Sequence, residues 1–208
     1  MIQLGETPIC IIDLETTGLS PSADRVVEVA VVRLVSDVSR VQTWDTLINP
    51  ERDPGATHAH GLTTADLEQA PTFWDIGPEL MEQLDGCILA AHNVNFDSSF
   101  LRYEFWRLGK VFPKFPLLDT VRVGYKLGRI EKSASRALGH LCANEGVQVH
   151  SAHSALGDAM AAAQLLSRYL SYAHAQGLDF ADLAVAPLEL PARASFPPRL
   201  TTKVLRRK

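Results

Sequence analysis

The chain has 208 residues, 46% of them hydrophobic and 21% charged, with a formal net charge of −4. This composition excludes a disordered or fibrous chain, and surface scaling lets a chain of this length bury about 70% of its unfolded surface without disulfide or metal staples. The acidic balance removes the whole-chain basic signature of nucleic-acid binding, but a phosphodiesterase carrying acidic metal ligands has the same arithmetic.

No apolar run approaches the ~20 residues of a membrane span. The first residues lack a basic stretch and meet acids early, so neither a secretory signal nor a membrane partner is expected. Cys10, Cys87 and Cys142 are odd in number, far apart and without a CxxC spacing. They suggest no disulfide framework and fit a reducing, cytoplasmic setting. Cys10 and Cys87 lie in apolar runs and read as small buried hydrophobes.

Residues 8–15 form a short apolar run that reads as a buried strand. A turn cluster over 16–24 follows. The β-branched stretch 25–35 reads as a second strand, and 41–48 alternates enough for a third, closed by Asn49-Pro50. Short connections make these three an antiparallel meander. Thr63-Thr64-Ala65-Asp66 carries helix-start chemistry, and 73–84 spaces Phe73, Ile76, Leu80 and Leu84 as a helix does. Residues 87–91 read as a short buried strand that runs out near Asn93. A helix is predicted over 97–108, with Gly109 as its stop. A short strand over 117–120, a helix over 135–144 and a long Ala- and Leu-rich helix over 155–175 complete the pattern.

The order β-β-β-α-β-α-β-α-α argues for an α/β domain: a mixed sheet with helices packed on it. Residues 1–180 are read as that domain. Residues 181–208 are read as a proline-rich basic tail, most plainly from Pro187 onward, ending in Arg199, Lys203, Arg206, Arg207 and Lys208.

Three segments carry chemistry. Asp13 and Glu15 stand two apart on a strand, so both carboxylates share a face. Like charges so placed repel unless a cation lies between them, and an all-oxygen site suits Mg²⁺ or Mn²⁺. A D-x-E pair recurs by chance in roughly half of chains this long, so its place after an apolar strand carries the weight. Asp97 falls at the start of a predicted helix, where an acid also suits the helix dipole. Asp158 follows His153 by five residues, with Ser154 as N-cap. That puts His153 on a loop and Asp158 in the helix. A loop histidine beside a metal site suits a general base; His150 competes for that role, although nothing in its spacing supports it. Two metal ions about 3.5–4 Å apart need about this many carboxylates, so the residues by themselves point to phosphodiester hydrolysis.

Asp13-Leu-Glu-Thr-Thr-Gly-Leu19, Ala91-His-Asn-Val-Asn-Phe-Asp97 and His153-Ser-Ala-Leu-Gly-Asp158 closely resemble the three motifs of the DEDDh 3′–5′ exonucleases, the family of the proofreading epsilon subunit of bacterial DNA polymerase III. The similarity spans residues 8–175. The six specified residues of the first motif would arise by chance about once in 10⁷ to 10⁸ positions. The resemblance implies a ribonuclease H-like fold: a central mixed five-stranded sheet, three antiparallel strands then parallel ones, flanked by helices. It implies two Mg²⁺ (or Mn²⁺), with Asp13, Glu15 and Asp158 on the catalytic ion and Asp13 and Asp97 on the second. His153 would deprotonate the attacking water. Thr16 and Leu19 match positions that hold the terminal nucleotide, His60 matches a rim segment, and Asn93 and Phe96 would shape the pocket under the last base. Ser154, where a sister group has Tyr, selects the histidine subtype. The expected substrate is the 3′ end of a single-stranded nucleic acid, DNA before RNA, in proofreading or repair, with a DNA polymerase subunit as a possible partner. RNA trimming, and an adaptor acting through the tail, stand as alternatives.

Overall fold

The structure, a computed structural model, describes residues 7–34, 41–131, 133–150 and 153–186. Five strands form one sheet: β1 (Ile9–Thr16), β2 (Val26–Leu34), β3 (Val41–Leu47), β4 (Ile88–Ala91) and β5 (Leu117–Asp119), in the order β3-β2-β1-β4-β5. β1, β2 and β3 pair antiparallel, whereas β4 and β5 join β1 in parallel. This is the expected mixed sheet.

Eight helices are described: α1 (Thr57–His60), α2 (Thr64–Leu67), α3 (Phe73–Gln83), α4 (Val94–Arg107), α5 (Thr120–Lys126), α6 (Leu138–Asn144), α7 (Ala155–Ala175) and α8 (Phe180–Leu183). The sequence pattern lacked α1, α5 and α8, and it began α6 three residues early. It also began α4 at Asp97, whereas the helix starts at Val94. The reason is tertiary: Asp119 Oδ2 accepts from the Val94 amide at 2.8 Å and satisfies a donor that no local side chain caps. Asp97 still falls in the first turn.

The central strands are apolar on both faces because helices cover both. Ile9, Ile11, Ala30 and Val32 pack with α5, α6 and α7, while Cys10, Ile12, Val29 and Val31 pack with α3 and α4. Alternate residues thus serve opposite layers. Leu165 and Leu166 of α7 are wholly buried, and burial of each such side chain contributes roughly 1.5–3 kcal/mol.

Beyond α8, Val185 donates to the Leu117 carbonyl at 2.9 Å on the β5 edge. Residues 187–208, most of the tail read from the sequence, lie outside the described residues. All three cysteines are free and buried. Among the described residues no helix is long and apolar enough to cross a membrane.

Candidate active site

Ile9, Ile11, Asp13 and Glu15 form one row of β1, on the face that α7 covers. The first two are apolar because α7 packs over them. The last two are acidic where that cover ends, at the N-terminus of α7. Asp158 lies in the first turn of α7, so the same corner receives a third carboxylate. Asp13, Glu15 and Asp158 each present one oxygen, and these oxygens lie within 4.8 Å of one another. The site therefore stands at the C-terminal ends of the parallel strands, facing the starts of two helices whose dipoles favour negative charge.

The electrostatics are those of a crowded anionic corner. Burial pushes the Asp13 carboxyl well above the usual range, and the charges of Asp97, Asp158, Glu15 and Glu28 push it further. Glu15 is raised to about 7 by burial, then by Glu28 and Asp158. Asp158 is raised by burial, against the amide and charge of His153 and the charge of His92. Asp97 is 3% exposed. Its carboxyl is held well above the ordinary range by burial, although its own amide and that of Leu14 favour the charged form. Asp97 thus acts on Asp13 through its charge and stands outside the three-oxygen group. An all-oxygen donor set whose members repel one another fits a hard divalent cation, which would relieve the repulsion.

His153 is exposed at the mouth, and its amide lies 3.3 Å from Asp158 Oδ2. It has φ +67°, and Asn93, the residue before α4, has φ +70°. Two of the three non-glycine residues with positive φ among the described ones therefore belong to the acidic motifs, where unusual backbone concentrates at working sites. Ser154 caps α7 as expected, accepting from the Gly157 amide at 3.2 Å.

The expected nucleotide-contact residues differ in setting. Thr16 is buried, its hydroxyl donating to the Gly18 carbonyl at 2.6 Å. Leu19 is 85% exposed on the loop that follows. Asn93 is exposed, and Phe96 is half-buried against Phe100 with ring centres 4.9 Å apart. His60 is buried at the end of α1, and its Nδ1 accepts from the Leu62 amide at 3.0 Å. The ring is thus engaged in its own turn, and burial lowers its pKa.

Two residues of the site escaped sequence reasoning. Glu28 pairs across the sheet with Glu15, and its Oε2 accepts from the Ala155 amide at 3.1 Å, so it caps α7 from β2. A lone acid in the inward row that also holds Ala30 and Val32 was the available signal. His92 bridges Thr120 Oγ1 and the Arg136 carbonyl, each at 2.7 Å, close enough to Asp158 for each to favour the other's charged form. The carbonyl can only accept, so Nε2 carries a proton and the neutral ring takes the Thr120 hydroxyl proton at Nδ1.

Opposite the loop after β1, Gly55 sits at φ +70° with its α-carbon packed on the Thr17 carbonyl, and a β-carbon there would overlap that oxygen. Gly55→Ala is expected to lose at least about 1–2 kcal/mol of stability. At this chain length that lowers the melting temperature by about 2–8 °C, which differential scanning calorimetry would read.

Residues 10–166 match the family model described as Exonuclease, of the RNase T type. The chain is 38% identical over 188 residues to the DNA polymerase III subunit epsilon-like protein of Rhodobacter capsulatus, covering 84% of this chain and 26% of that protein. Among solved structures, the nuclease domain of 3′hExo, a DEDDh family member bound to rAMP, superposes with a TM-score of 0.73 at 18% identity, over 90% of this chain and all of that one. Exonuclease I of E. coli in complex with a dT13 oligonucleotide gives 0.72 at 19% identity, over 82% of this chain and 42% of that one. The chain belongs to this exonuclease family, which bears out the DEDDh resemblance. It spans about a quarter of the length of the Rhodobacter relative.

Proposed function

We propose that the chain is a metal-dependent 3′–5′ exonuclease that hydrolyses the last phosphodiester bond at the 3′ end of single-stranded DNA, releasing nucleoside 5′-monophosphates in proofreading or repair. The convergence of Asp13, Glu15 and Asp158 under an exposed His153 carries this reading.

Asp13, Glu15 and Asp158 would hold one divalent cation, Mg²⁺ or Mn²⁺, and Asp13 with Asp97 a second. The chemistry two such ions supply is neutralisation of the carboxylates and polarisation of the scissile phosphate. His153 takes a proton from the attacking water as its oxygen bonds to phosphorus. The bond from phosphorus to the 3′ oxygen of the penultimate nucleotide breaks, and that oxygen takes a proton from solvent water, while His153 returns the proton it took to solvent. Leu19 stacks on the terminal base, a contact that tolerates any sequence. Thr16, His60, Asn93 and Phe96 shape the pocket around it.

DNA is favoured because the Rhodobacter relative is named for a DNA polymerase subunit and the E. coli neighbour was solved with dT13. That relative also makes a polymerase subunit the natural partner. Trimming of RNA 3′ ends is the second reading, favoured by the rAMP bound to the 3′hExo domain. Hydrolysis of 3′- and 5′-labelled single-stranded DNA and RNA of equal sequence, with Mg²⁺, with Mn²⁺ and with EDTA, tests both. Stepwise loss from the 3′ end that needs metal is expected, faster on DNA. Faster loss from RNA selects the second reading, and metal-independent or internal cleavage removes both. His153→Ala is expected to lower kcat by about 10²- to 10⁴-fold, the usual share of a general base, with little change in KM.

A further inference from the structure

Residues 17–24 leave β1 beside Glu15 and return into β2, carrying Leu19 outward. The loop closes on itself through Asp24, whose Oδ2 accepts from the Ser20 amide at 2.9 Å and whose Oδ1 accepts from the Thr17 hydroxyl at 3.2 Å. Its carbonyls turn inward. Arg107 Nη2 is shared among the carbonyls of Pro21, Ser22 and Asp24 at 2.9, 3.2 and 3.0 Å. Arg52 takes the remaining one, Ala23, at 2.7 Å. Four consecutive carbonyls are thus held by two arginines.

Arg107 is itself fixed from below. Glu104, one turn earlier on α4 and 1% exposed, lies 3.3 Å from Arg107 Nη1. Arg25 Nε meets both Glu104 oxygens, at 2.8 and 3.2 Å, and the Val26 amide donates to Oε1 at 3.2 Å. Arg25 Nη1 continues to the Pro50 carbonyl at 3.1 Å. A buried carboxylate between two guanidiniums is a costly way to hold a surface turn, because hydrophobic packing alone gives as much stability without desolvating charge. It gives one defined geometry, through fixed forks that a lysine does not supply.

We propose that the Arg25–Glu104–Arg107 cluster is a positioning device for the substrate's 3′-terminal nucleotide: it holds residues 17–24 so that Leu19 stands at the mouth of the carboxylate site. The three are positioning residues that act through the loop and touch no reacting atom. This rests on the exonuclease reading above, since a terminal nucleotide is what Leu19 meets.

The test is a double-mutant cycle on a 3′-labelled single-stranded oligonucleotide with Mg²⁺. Glu104→Gln and Leu19→Ala are each expected to raise KM about tenfold while kcat moves by less than about twofold. The double variant is expected to stay near about tenfold rather than reach about a hundredfold, because both changes remove one contact. Amide exchange supplies a readout independent of activity. In Glu104→Gln the amides of Thr17, Ser20, Ala23 and Asp24 exchange about tenfold faster, and those of β1 and α7 do not change. Arg107→Met, which keeps the stem and the Arg25–Glu104 pair, gives the same pattern if Glu104→Gln folds poorly. Multiplying KM effects, an equal loss in kcat, or exchange that rises everywhere or nowhere overturns the proposal. A wild-type protein that hydrolyses no oligonucleotide overturns the nuclease reading and the cluster's substrate role together, whereas active enzyme with independent variants overturns the cluster's role alone.

Discussion

Asp13→Asn is expected to abolish nuclease activity and, in EDTA at pH 8, to melt above the wild type. The activity loss follows from its place in the site. Asp13 belongs to the three-oxygen group, and in the proposed two-ion arrangement it is the carboxylate common to both positions. Losing a residue that merely supports a metal ligand costs about 10- to 100-fold, so losing a shared ligand is expected to cost at least about 10³-fold in kcat. That corresponds to about 4 kcal/mol of lost transition-state stabilisation. The gain in stability follows from the same crowding. Burial and four neighbouring acids oppose ionisation of Asp13, so at pH 8 without metal the folded wild type bears a cost, as a strained charge or as a retained proton, that Asn does not. Asn keeps the shape and an acceptor oxygen. About 1 kcal/mol relieved raises the melting temperature of a chain this long by about 2–4 °C. Added Mg²⁺ is expected to raise the melting temperature of the wild type and leave the variant nearly unmoved. A variant that melts lower in EDTA, or keeps more than about a tenth of wild-type activity, contradicts the assignment.

The parts of the molecule visible in the sequence are those whose physics is local. The run Ile9-Cys-Ile-Ile12 declares a strand covered on both faces, and acids that continue its inward row declare where cover stops. Helix α7 has the bounds its composition and Ser154 predict. What stayed hidden depends on partners far along the chain. Helix α5 reads as strand-like Val121 and Val123 with a glycine, yet the Asp119 side chain caps it at Arg122. Gly124 is also small because Ile130 and Tyr169 press on it. Val94 begins α4 because of Asp119, 25 residues later. Glu28 reaches Ala155 across 127 residues, and Glu104 reaches Arg25 across 79. An apolar stripe on α4 gives no warning that a carboxylate on the same helix is wholly buried. The convergence of Asp13, Glu15 and Asp158 in the candidate site was legible because each closes a local pattern; Glu28 and His92 beside them were not.

In EDTA the wild type is expected to lose stability steadily as pH rises from about 4.5 to about 7, and Mg²⁺ is expected to reverse that trend. Glu15 is raised to about 7 in the folded protein, while an unfolded glutamate titrates near its ordinary value of about 4.3. Between those values the folded state holds a proton that the unfolded state has released. The unfolded state therefore binds fewer protons, and the slope of unfolding free energy with pH is negative. Asp13, Asp158 and Glu28 are raised too, each with burial as the first cause, so they add to the slope with the same sign. Paired surface carboxylates, whose folded pKa values are lowered, give the opposite trend. A cation replaces the missing protons, and it binds better as the carboxylates ionise. At about 100 times its Kd it adds about 2.7 kcal/mol. The increment from Mg²⁺ is thus expected to be small at pH 5 and largest at pH 8, which carries metal-loaded protein to its stability maximum where metal-free protein is weakest. Melting curves at half-unit steps from pH 4.5 to 8, with EDTA and with Mg²⁺, read both trends. Asp158→Asn should flatten the metal-free slope and shrink the Mg²⁺ increment together, since one carboxylate supplies part of each. A metal-free curve that rises across this window, or a Mg²⁺ increment equal at pH 5 and pH 8, means that Asp13, Glu15 and Asp158, with Glu28 beside them, are not a repelling cluster that an ion relieves.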